Sequence, residues 1–115
     1  PVEPASAVEE MLVSETAKFA GILKVNVHAV ITDHLDSNDQ ITADGLTPLG
    51  WYNQGVAYFY RPMLHRASIA PEPYKETATN LAAHEVAHAK FPGHDCQHWT
   101  LSAQLATPTY PSPCK

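Results

Sequence analysis

Residues 80–94 read Asn80-Leu81-Ala82-Ala83-His84-Glu85-Val86-Ala87-His88-Ala89-Lys90-Phe91-Pro92-Gly93-His94. Leu81, Ala82, Val86, Ala87 and Ala89 recur at helical spacing, so the pattern predicts a helix over about residues 75–90. Phe91-Pro92-Gly93 must end it. Proline cannot continue the hydrogen-bond ladder, and the residue before it is pushed toward extended backbone. On that helix His84 and His88 lie four apart, on one face and about one turn from each other. Two imidazoles so placed can reach one metal ion together. Glu85 points away from that axis by ~100°, so it does not ligate as the histidines do but stands beside them. Zinc takes about four nitrogen, sulfur or oxygen ligands, and a catalytic site keeps one position for water. The metal lowers the pKa of that water, and an adjacent carboxylate can take the proton. His94 is the tenth residue after His84, beyond a turn that lets the chain come back toward the same ion.

Working outward, Ser6 followed by Glu9 is a capping-box pattern. Val8, Met11, Leu12, Phe19 and Leu23 then predict an amphipathic helix over residues 6–22. Residues 23–32 alternate Val25, Val27 and Val30 with Lys24, Asn26 and His28, which predicts a strand. Residues 33–50 are polar, acidic and rich in turn formers. Residues 55–61 predict a second strand, stopped by Pro62, and residues 67–70 a short third one before a turn at 71–73. No regular element is evident after Phe91-Pro92-Gly93. Helix, strands, helix and irregular tail make an α+β fold, and 115 residues allow one domain, 1–115.

Composition narrows the function. Seven Lys and Arg against twelve Asp and Glu give a net charge of -5, which argues against a nucleic-acid binder. No apolar run reaches the roughly 18–20 residues of a membrane span. Cys96 and Cys114 are the two cysteines, and an even pair near Pro111 and Pro113 reads as one disulfide of an exported protein. Such a bridge contributes roughly 3 kcal/mol in the chain-entropy account. The opening Pro1-Val2-Glu3-Pro4 is expected to be a mature start with its leader removed.

His84, Glu85, His88 and His94 resemble the zinc-binding signature H-E-x-x-H-x-x-G-x-x-H of the metzincin metallopeptidases, within the wider zincin clan. The resemblance implies Zn2+ held by the three histidines, Glu85 as general base, and hydrolysis of peptide bonds in a protein or peptide substrate. It implies a backing helix, here residues 6–22, and a twisted sheet. It also implies an edge strand beside the cleft, for which 55–61 is the candidate, and an active-site helix. The expected protein is a secreted, monomeric endopeptidase acting on no membrane or nucleic acid. The motif match covers residues 84–94 alone, and the sequence departs from it twice. Phe91 stands where the family has glycine, and no methionine follows Met63 to make the family's methionine turn below the metal. The third ligand is read as His94, ahead of Asp95, which is where small secreted zincins of the snapalysin type have an aspartate, and ahead of His98. Cys96 is a soft ligand only if it is not bridged.

Other groups carry less. Asp33, Asp36, Asn38, Asp39 and Asp44 suggest a calcium loop, but counting from Asp36 puts Ile41 where an EF-hand needs glycine. Tyr110 reads as a packed aromatic, and His28, His34 and His65 as surface or core residues. Two other classes compete with the peptidase: a non-peptidase zinc hydrolase and a non-catalytic zinc-binding protein. A bacterial endoribonuclease family has the same histidine spacing but differs at the glutamate. A pure zinc binder has no need of a base at Glu85.

Overall fold

The structure, a computed structural model, describes residues 6–34, 50–62, 64, 78–112 and 114. The expectations for the leader, the acidic loop, Met63, His65, the strand at 67–70 and the turn at 71–73 lie outside the described residues.

Helix α1 spans Ala7–Leu23, and the Ser6 side chain accepts from the Glu9 backbone N–H. Ser6 therefore satisfies one of the free donors of the first turn. The Glu9 side chain reaches across to the residue after β3. It is buried and paired with the Arg61 guanidinium, 3.1 Å from Nε, which ties α1 to the end of the sheet. The inner face of α1 buries Leu12, Thr16, Phe19 and Ala20. The helix stops where Lys24 takes a left-handed φ of 56° and the Val25 N–H reaches back to the Ala20 carbonyl at 3.0 Å. That reversal uses up residues 24–27. The first strand, β1, is therefore His28–Thr32 rather than the predicted 23–32.

Strand β2, Gly50–Asn53, and strand β3, Val56–Tyr60, form a hairpin. Gln54 and Gly55 make its turn with φ of 48° and 83°. Two consecutive positive φ values suit the two-residue turns whose twist matches a hairpin. The sequence reading missed β2 because Gln-Gly is a weaker signal than Asn-Gly. Among the described strands the order is β1-β3-β2, with β1 parallel and β2 antiparallel to β3. Residues 55–61 are thus the central strand, and the expectation that they form the edge is wrong. Both sides of β3 are hydrogen-bonded, so among the described strands the edge nearest the site belongs to β2. Along β3, Ala57 and Phe59 are fully buried, and Tyr58 faces the other way and stacks on Trp51.

Helix α2, Ala78–Ala87, is the element the rest is built around. It packs against α1, β2, β3 and a third helix. Leu81, Ala82, Ala83, Val86 and Ala87 are all buried, so small side chains let neighbours close in on every side. The helix runs out through tightened turns, with His88 N–H to the Glu85 carbonyl at 3.2 Å and Ala89 N–H to Val86 at 3.0 Å. Phe91-Pro92 ends it, as the sequence required.

The tail is not irregular. Cys96–Ala106 form helix α3, capped by the Asp95 carboxylate, which accepts from the His98 N–H at 2.9 Å. His98, Leu101 and Leu105 follow at i, i+3 and i+7 and turn one face inward. The residues after α3 return to its start, where Cys114 is bonded to Cys96 with Cα atoms 5.9 Å apart. Among the described residues no helix is long and apolar enough to cross a membrane.

Candidate metal centre

Three imidazoles converge where α2 ends and α3 begins. One ring nitrogen each of His84, His88 and His94 lie within 4.8 Å of one another. His84 comes from α2 and His88 from the tightened turn just past its last residue, one helical turn on, as their spacing dictates. His94 reaches them from residues 91–94, which carry the chain across the end of α2. Ring centroids are 5.2 Å apart for His84 and His94 and 4.8 Å for His88 and His94. The reversal needs no left-handed glycine. Positive φ among the described residues occurs only at Lys24, Gln54 and Gly55. Phe91 in place of the motif's glycine is therefore accommodated without strain.

The donor chemistry fits a metal ion. Burial, with neighbouring imidazoles adding to it, lowers the His84 pKa to about 3. Burial also lowers His88. Neutral imidazoles offer lone pairs at neutral pH, as metal ligation needs. His88 Nδ1 lies 3.1 Å from the Phe91 carbonyl, to which it donates, so Nε2 is the nitrogen left for the ion. Such an outer hydrogen bond fixes ring and tautomer together. His94 is exposed and Asp95 is committed to capping α3. Asp95 stands outside the converging group. Cys96 is bridged and drops out as a ligand.

Glu85 is 3% exposed, and burial raises its carboxyl pKa to about 8. In the metal-free protein it is mostly protonated at pH 7, and a nearby cation favours its ionised form. Gly50 at the start of β2 lies against it, and the lack of a side chain there makes room for the Tyr58 carbonyl. A Cβ there would stand 2.7 Å from the Tyr58 carbonyl and 3.4 Å from Glu85 Oε2. A cleft of about 480 Å³ opens beside His84 and Glu85, walled by Asn80, Leu81, Trp99 and Ala103. Trp99 is 56% exposed, with its ring 5.5 Å from that of His84. Sequence reasoning missed Gly50 and Trp99. An Asp95 cap before the His98, Leu101, Leu105 stripe was the available signal for the latter. Tyr110 is exposed rather than packed, and His28 and His34 lie on the surface.

These groups set a pH dependence for the chelated protein. Glu85 binds its proton more tightly when folded, so its contribution falls as pH rises from 4.5 to about 8. His84 binds its proton less tightly when folded, so its contribution is present above 6.5 and lost as pH falls toward 3. Above pH 6.5 only the Glu85 effect remains. Stability of the chelated protein should drop by on the order of 2 kcal/mol between pH 6.5 and 8. Thermal melts of Glu85→Gln should lose this decline and keep the loss in acid. A wild-type melting profile that rises over that interval would contradict the assignment.

No protein-family model matches the chain, and no curated protein or solved structure is significantly similar to it. The likeness to metzincins rests on the motif and on the convergence of its histidines, which is compatible with a zinc site.

Proposed function

We propose that this chain is a zinc-dependent endopeptidase, exported from the cell and active as a monomer. The observation that carries the reading is the convergence of His84, His88 and His94 beside a buried carboxylate that opens onto a cleft. His84, His88 and His94 would hold the zinc, which when bound would supply Lewis acidity and lower the pKa of a water. Glu85 accepts a proton when ionised and returns it to the leaving amine. Its burial keeps competing water away and strengthens its electrostatic effect on the reacting groups.

An extended peptide adds along β2, the outer strand on this side among the described residues, because backbone groups of an edge strand offer a ladder to a new strand. Support comes from the position of this strand. Gly50 abuts Glu85, and the Tyr52 ring lies 6.4 Å from that of His88. Main-chain recognition of this kind tolerates many sequences, with the cleft beside Trp99 receiving one side chain.

The test is direct. Purified protein should carry about one zinc per chain, cleave an unfolded protein substrate, lose activity to a chelator and regain it with zinc. Zinc-loaded protein that cleaves no peptide mixture would overturn the peptidase assignment and leave a zinc-binding protein.

The disulfide supports both export and the site. It ties the chain end to the first residue of α3, two residues after His94. Breaking it should loosen His94 before the core, which is built from α1, the sheet and α2. Cys96→Ser with Cys114→Ser, which adds no competing thiol, should lower zinc affinity and hydrolysis at temperatures where the core remains folded. Two free thiols in active protein, found by mass spectrometry, would remove the bridge and the main support for export.

A further inference from the structure

We propose that His98 is a positioning residue of the metal centre, holding His84 and His88 in place from beneath without ligating the ion. The inference rests on the zinc reading above. His98 is fully buried, an unusual state for a histidine outside the ligand set. Its ring stacks on His88 with centroids 3.9 Å apart and planes 14° from parallel. It meets His84 edge-on at 4.6 Å. Its Nε2 lies 2.9 Å from the His84 carbonyl. A carbonyl only accepts, so Nε2 carries a proton and donates it. One side chain thus packs against two ligand rings and grips the backbone of the first.

Two observations separate this role from ordinary core packing. Nδ1 is buried with no hydrogen-bond partner among the described residues, a penalty that an apolar side chain would avoid. A position selected for packing alone has no reason to carry that penalty, whereas the Nε2–H bond requires a donor. His98 also sits in the first turn of α3, its own N–H held by the Asp95 cap. The segment that delivers His94 is therefore anchored, through His98, to the backbone that delivers His84.

The experiment compares wild type, His98→Phe and His98→Gln. Phenylalanine keeps a ring and loses the N–H. Glutamine loses the ring and keeps an Nε2 donor of similar reach. Three quantities are measured: zinc affinity by chelator competition, the visible bands of the cobalt-substituted protein, and melting of the zinc-free form. His98→Phe should weaken zinc binding by roughly 10- to 100-fold and shift the cobalt bands. His98→Gln should recover part of the affinity. If the phenylalanine variant does not fold, the glutamine variant decides, with weakened zinc and altered bands in a folded protein expected. Folded variants with wild-type zinc affinity and unchanged cobalt bands would overturn the inference while leaving the metal reading intact. A wild type that binds no zinc would overturn both.

Discussion

Glu85→Gln should keep its zinc and lose peptide hydrolysis by roughly a hundredfold or more. Glutamine matches glutamate in size and fills the same space beside Gly50 and the α2 core, so the three histidines keep their positions. It cannot accept a proton. Because Glu85 is buried, the substitution also removes the group whose ionisation the fold opposes. The metal-free variant should therefore be no less stable than wild type at neutral pH, and its inactivity cannot be ascribed to unfolding. Zinc content, a melting curve and turnover of one peptide substrate suffice. Turnover equal to wild type would show that another group activates the water.

The second large effect is on the metal itself. His84→Ala or His88→Ala should strip zinc from the protein, leaving at most a weakly held ion. Each removes one of three imidazoles whose ring nitrogens lie within 4.8 Å of one another, and two of them cannot complete a zinc shell alone. His88→Ala also releases the Phe91 carbonyl from its imidazole partner, which loosens the turn leading to His94. His94→Ala should weaken zinc less sharply, because exposed His94 is the ligand that solvent can most readily replace. Equilibrium dialysis followed by metal analysis reads all three. Full zinc occupancy in both His84→Ala and His88→Ala would overturn the proposed metal centre, and with it the proposed peptidase activity.

Residues whose neighbours are near in sequence were legible from the sequence alone. A helical repeat with Ser6 before it gave α1 to within one residue at either end. The i, i+4 spacing put His84 and His88 on one side, one helical turn apart, because a helix sets that geometry whatever surrounds it. Pro92 ended the helix for a reason contained in its own ring. Even cysteine count anticipated the bond between Cys96 and Cys114. Tertiary structure decided the rest, since burial and strand pairing depend on partners far along the chain. Alternation over residues 55–61 marks a strand but carries no record of which strands lie beside it. Only pairing with His28–Thr32 on one side and Gly50–Asn53 on the other made it central. In the sequence His94 is one of three candidates; the turn at 91–94 brings its ring nitrogen within reach of those of His84 and His88, while the Asp95 carboxylate caps α3. For His98, sequence offered only a histidine near a motif. Packing of α3 on α2 put it under the ligands, with its Nε2 on the His84 carbonyl.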